Sequence, residues 1–183
     1  MRFTKVGIPD VRVIHLDLKA DSRGAFARTF CVREMEEEGL KSKFVQCNLS
    51  YNHRRGTIRG LHWQVPPATE CKLIRCTRGA VYDVIVDMRP DSPAYLRHFG
   101  IELSAEERQM LYIPDQFAHG YQALTDDAEV AYQVTEYYTP ELERGARYDD
   151  PLLGIRWPLP VTEVSEKDRG WALLQPAVTE VSA

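Results

Sequence analysis

The sequence predicts an all-β fold, a sandwich or barrel with a few short helices, and three observations predict it. Short apolar, β-branched runs recur at spacings of roughly 8–12 residues. Turn signals such as Asp21-Ser22-Arg23-Gly24 and Arg78-Gly79 stand between them. Only the run from Val32 to Leu40, with Gly39 at its stop, reads as an early helix. No linker, low-complexity stretch or internal repeat interrupts the 183 residues, so 1–183 reads as one domain, long enough for a sizeable core.

Taken in order, a weakly alternating strand is expected over Val11–Leu16. Strands follow at Phe44–Asn52, Thr57–Gln64, Cys71–Arg78 and Ala80–Met88. Further strands are expected at Leu96–Leu103, Met110–Ile113, Gly120–Leu124 and Glu129–Glu136. From Pro140 the prolines predict loops, with a short strand at Ile155–Trp157. In Ala80–Met88 one face carries Tyr82, Val84, Val86 and Met88, a core pattern. The other carries Val81, Asp83, Ile85 and Asp87, which suits either a half-solvated face or a polar lumen.

Hydrophobic residues make up 44% and charged residues 27%, ordinary values for a globular chain. A net charge of −4 argues against general attraction to nucleic acid. No stretch approaches the ~18 apolar residues of a membrane span, and the Met1–Lys5 start has no signal-type apolar run. Cys31, Cys47, Cys71 and Cys76 lack C-x-x-C spacing and read as reduced thiols of a cytoplasmic protein.

Candidate chemistry concentrates in Asn48–Gln64. The turn His53-Arg54-Arg55 is expected to be a solvated surface feature. Arg59 and His62 lie inside a strand pattern and carry more functional weight: arginine offers planar donors to a diphosphate, and histidine titrates near neutrality. Strict alternation would send these two to opposite faces. They can share a site only if the strand bulges near Gly60. His119, before Gly120, could meet a ligand or be a satisfied core residue. Tyr132 could donate a proton if its pKa is lowered, or simply pack. Ser165-Glu166-Lys167-Asp168 by itself reads as a charged turn.

These segments together resemble the dTDP-4-dehydrorhamnose 3,5-epimerase family. The pieces that carry the resemblance begin with Asp21–Gly24, Gly56–Gln64, Lys72–Arg75 and Asp83–Arg89. Ile113-Pro114 through Gly120, Asp149–Pro151, Ile155–Pro158 and Ser165–Asp168 complete the ordered set. The resemblance implies a cupin-type double-sheet jelly roll, usually a homodimer, acting on a nucleotide-diphosphate 4-keto sugar with no cofactor and no metal. It implies His62 as base, Asp168 as its orienting carboxylate, Tyr132 as acid and Lys72 as the cation at the enolate oxygen. Arg59 and His119 would hold sugar and diphosphate. Arg23, Gln46 and Asn48 match nucleotide-binding positions, with Glu143 and Lys167 as weaker matches. One departure is Ala25-Phe26-Ala27-Arg28, where Arg28 replaces the family's usual glutamate, is itself a candidate substrate-binding residue and could reach a partner chain. Another is Glu70, at a position where glutamine is common. The nucleotide (dTDP, CDP or GDP) and the choice of C3, C5 or both stay open at this level.

Two rival readings remain. In a metal-dependent cupin enzyme, His62, Glu70 and His119 would be a partial ligand set. A non-catalytic nucleotide-sugar binding module would keep Arg59 and Arg23 without the acid–base pair.

Overall fold

The computed structural model describes residues 1–175. Its strands are β1 (Arg2–Lys5), β2 (Arg12–His15), β3 (Lys19–Asp21), β4 (Gly24–Phe26), β5 (Gln46–Asn52), β6 (Thr57–Gln64) and β7 (Lys72–Arg78). They continue with β8 (Ala80–Asp87), β9 (His98–Ser104), β10 (Met110–Ile113), β11 (Phe117–Ala123), β12 (Ala128–Val134), β13 (Glu143–Gly145) and β14 (Glu163–Val164). The α-helices are α1 (Val32–Glu37) and α2 (Glu166–Arg169). One sheet runs β1-β2-β10-β7-β12-β5. The other runs β13-β6-β11-β8-β9, with β14 parallel on β6. The two sheets face each other, giving the expected double-sheet jelly roll.

Alternation along each strand divides the side chains between an inner core and two outer covers. Between the sheets, Val13, Ile74, Val81, Ile85, Leu111, Phe117 and Val130 form the central core. Behind the first sheet, Ile14, Leu73 and Tyr112 pack under Met35 of α1 and Leu40. Behind the second, Leu61, Val84 and Val86 are covered by Ala146, Leu153, Ile155 and Trp157. Both faces of β8 are therefore buried. The half-solvated alternative fails, because Asp83 and Asp87 are each 0% exposed. Each acid is held from within: Asp87 by Arg89 (2.7 Å) and Asp83 by His119 (2.9 Å).

The tail and the N-terminal segment differ from expectation. Ile155–Trp157 is not a strand; its apolar side chains serve as irregular cover on the second sheet. The strands that do form there, β13 and β14, are very short and exist only by pairing with β6. The charged turn at Ser165–Asp168 is instead the start of α2. Ser165 caps it, its Oγ accepting the Asp168 N–H at 3.1 Å. Arg2–Lys5, not anticipated as a strand, becomes β1 by pairing with β2.

Candidate active site

The site is organised by one irregularity in β6. Opposite β11, His62 pairs with His119 and Arg59 pairs with Tyr121, so three steps on β6 match two on β11. That extra residue is the bulge that period-two alternation required, and it turns Arg59 and His62 to the same side. Gly60 sits in it with φ +104°. A Cβ there would lie 2.5 Å from the His119 carbonyl oxygen and 2.6 Å from Gly120 Cα, so only glycine fits.

A cleft of about 370 Å³ opens between the sheets, lined by Arg59, His62, His119 and Tyr121 from the second sheet and Ser50, Lys72 and Tyr132 from the first. Lys167 and Asp168 of α2 close one side. An adjoining cleft of about 460 Å³ shares His62, Lys72, Tyr132 and Lys167 and adds Gln46, Asn48, Glu70, Tyr138 and Glu143.

Asp168 reaches the imidazole across 106 residues of sequence, its Oδ1 2.6 Å from His62 Nε2. Its Oδ2 accepts the Gly60 N–H at 3.1 Å, tying α2 to the bulge. Burial opposes ionisation of Asp168, but the hydrogen bonds from His62, Gly60 and Ser165 outweigh it and hold the carboxyl below its ordinary range. A carboxylate accepts only, so Nε2 carries a proton, and in the neutral ring the lone pair is then on Nδ1. Lys72 Nζ lies 3.0 Å from Glu70 and 3.4 Å from the His62 carbonyl, with its side chain 10% exposed. Arg59 is braced by Asn52 Oδ1 (2.8 Å) and the Tyr51 carbonyl (2.9 Å). The Tyr121 hydroxyl joins Ser50 Oγ (2.6 Å) and Asn52 Nδ2 (3.2 Å) in the same brace.

Tyr132 behaves differently from the sequence expectation. Burial, then the neighbouring Tyr121 and Glu70, push its phenol above the usual tyrosine value rather than below it. The phenol therefore stays protonated at neutral pH. Lys167 bonds Glu143 at 2.5 Å, and Glu143 also accepts from the Tyr138 hydroxyl at 2.8 Å. Desolvation works against the Glu143 charge; Lys167 and Tyr138 override it and hold the carboxyl low.

His62, Tyr132, Asp168, Lys72, Arg59, His119 and Lys167 thus meet in one cleft, with Gln46, Asn48 and Glu143 next door. Arg23 and Arg28 do not join them within one chain. Arg23 projects from the β3–β4 hairpin with its side chain 87% exposed, paired to Asp21 at 2.6 Å. Arg28 pairs with Glu34 at 2.8 Å. His53, Arg54 and Arg55 are exposed, as a solvated turn should be. The three donors of the metal reading do not converge: His62 faces Asp168, His119 faces Asp83 and Glu70 faces Lys72. Sequence reasoning missed Asp83 as the partner of His119 and Tyr121 as the brace of Arg59. The signal for Asp83 was its place on the acid-bearing face of β8.

Comparison with known proteins places the chain. A model of the dTDP-4-dehydrorhamnose 3,5-epimerase family matches residues 5–176. The dTDP-4-dehydrorhamnose 3,5-epimerase of Methanothermobacter thermautotrophicus is 42% identical over 177 residues, covering 95% of both chains. The crystal structure of the Bacillus anthracis enzyme of that name, with TDP and PPi bound, superposes with a TM-score of 0.91 at 39% identity. That match covers 94% of this chain and 99% of the other. A dTDP-6-deoxy-D-glucose-3,5-epimerase of Legionella pneumophila, in complex with dTDP-4-keto-L-rhamnose, superposes at 0.88 with 37% identity, covering 94% and 92%. Bulged strand, facing sheets and whole-chain similarity agree, and the chain belongs to the dTDP-4-dehydrorhamnose 3,5-epimerase family.

Proposed function

We propose that this chain epimerises a dTDP-linked 4-keto-6-deoxy sugar at C3 and C5 by removing and returning protons beside the C4 ketone. One observation carries the reading: an imidazole from one sheet and a phenol from the other line a single cleft, with an ammonium beside them. The ketone makes the hydrogens on its flanking carbons acidic, because the carbanion delocalises onto oxygen. His62 Nδ1 takes such a proton, and Asp168 stabilises the imidazolium that results. Lys72 supports the enolate oxygen electrostatically. Tyr132 delivers a proton from the opposite face, which inverts the centre; its phenolate and the imidazolium then re-equilibrate with solvent. A phenol kept protonated by burial suits this step, since a carbanion needs a donor that holds its proton until then.

In this reading Arg59, His119 and Lys167 hold the diphosphate and sugar, and Gln46, Asn48 and Glu143 border the nucleotide. The reaction moves protons only and calls for no cofactor. The chain pairs with a second copy, and Arg23 and Arg28 meet the partner's nucleotide. The fully exposed β3–β4 hairpin, with Phe26 70% exposed, supports this, since a lone hairpin is marginal in water. In this reading the setting is the cytoplasm, a reducing compartment that suits four cysteines present as free thiols.

Incubation with dTDP-4-keto-6-deoxyglucose in D₂O, followed by mass spectrometry and stereochemical analysis, tests the reaction. Two solvent deuterons and an inverted product are expected. Tight binding without deuterium uptake would favour the non-catalytic binding module.

A further inference from the structure

The structure assigns Trp171 a positioning role for the base, with Gly145 left bare to admit it. In the β13–β6 ladder Gly145 stands directly opposite His62, so a side chain at 145 would project to the same side as the imidazole. An ideal Cβ at 145 would lie 2.0 Å from Trp171 Cε2, 2.2 Å from Nε1 and 2.4 Å from Cδ2. The indole therefore occupies the volume that a cross-strand neighbour of His62 would fill. Gly145 is not among the glycines with positive φ, so space, not backbone conformation, requires glycine there.

The indole stands edge-on to the imidazole, centroids 6.4 Å apart at 64°. Trp171 lies three residues after Asp168, just past the Gly170 cap of α2. One short segment thus supplies both the carboxylate that holds Nε2 and the ring that packs beside the imidazole. With both in place, rotation of the imidazole about its Cβ–Cγ bond is restricted by the carboxylate on Nε2 and the indole beside the ring, which fixes the position of Nδ1. Trp171 Nε1 is buried and has no hydrogen-bond partner among the described residues. The shape of the ring is what the site uses, and phenylalanine can replace most of it.

This inference rests on His62 being the base, and the test separates the two claims. Kinetics and ¹⁵N NMR of the His62 imidazole are measured for Trp171→Ala, Trp171→Phe, Gly145→Ala and the Gly145→Ala/Trp171→Ala double variant. Misplacing a reacting group by about 1 Å costs on the order of 10²-fold. Trp171→Ala and Gly145→Ala should each lower kcat by about tenfold to a hundredfold with KM nearly unchanged, and both should mix the His62 tautomers. Trp171→Phe should retain kcat within about threefold. Gly145→Ala should add nothing in the Trp171→Ala background, because the atoms it displaces are gone. If Trp171→Ala proves unstable, Gly145→Ala and Trp171→Phe still decide. An unchanged kcat and a single tautomer in Gly145→Ala would overturn the assignment, as would a further loss in the double variant. Full activity in His62→Ala would instead overturn the reading of the base.

Discussion

Replacing Asp168 with asparagine changes one oxygen for one nitrogen in a side chain only 5% exposed. The carboxylate makes two acceptor contacts, Oδ1 with His62 Nε2 at 2.6 Å and Oδ2 with the Gly60 N–H at 3.1 Å. An amide has one acceptor. If its carbonyl stays on Gly60, its NH₂ meets Nε2 and stabilises the tautomer protonated on Nδ1, which masks the base. If the carbonyl turns to His62, the buried Gly60 N–H faces another donor. The lost charge-assisted hydrogen bond is worth about 1.5–3 kcal/mol, a factor of about 10–160 in rate. The tautomer penalty multiplies this, and the same exchange in a carboxylate–imidazole catalytic pair costs about 10⁴. We expect kcat for deuterium exchange to fall about 10³–10⁴-fold, with dTDP affinity by calorimetry changed less than threefold. The pH dependence of stability supplies a second readout. Asp168 has a folded pKa below its unfolded value. It therefore contributes stability above the unfolded value of about 3.9, and that contribution is lost as pH falls through the folded pKa. The Tm deficit of Asp168→Asn should accordingly shrink as pH drops below about 4. An asparagine variant within threefold of wild-type kcat, or one whose Tm deficit is constant across that window, would refute the reasoning.

His62→Ala should reduce exchange by about 10²–10⁴-fold or more while nucleotide binding persists; loss of both in parallel would make His62 structural. Tyr132→Phe should still exchange deuterium on the His62 face yet yield no inverted product, which product analysis checks directly. Because burial lifts the Tyr132 phenol, its alkaline limb in the wild-type rate profile should lie above pH ~10, the ordinary tyrosine value; a limb near 8 would contradict that. Gly60→Ala forces a side chain against the β11 backbone at 2.5 Å. It should destabilise the fold by about 1–3 kcal/mol and cost activity, read by thermal melts and exchange kinetics.

Much of this molecule is legible in its sequence because strand formation is local. Thr57–Gln64 and Met110–Ile113 match their predicted limits, and several other strands fall within a few residues. That Arg59 and His62 can share a site only through a bulge also follows from two-residue periodicity. Other features are decided only when distant segments meet. Asp168 sits in a run that reads as a charged turn, and its role exists only because α2 docks on β6. Residues Glu143–Gly145 and Glu163–Val164 have no strand pattern of their own and become strands by pairing with an existing edge. Asp83 and Asp87 are polar in any linear reading and fully buried in the fold, since a polar side chain can enter a core once a hydrogen-bonding partner is brought within reach, here His119 for Asp83 and the Arg89 guanidinium for Asp87. Local covalent rules determine which residues alternate and where the chain turns. Which acid meets which base is set by sheet pairing and packing across a hundred residues, and no local pattern encodes that.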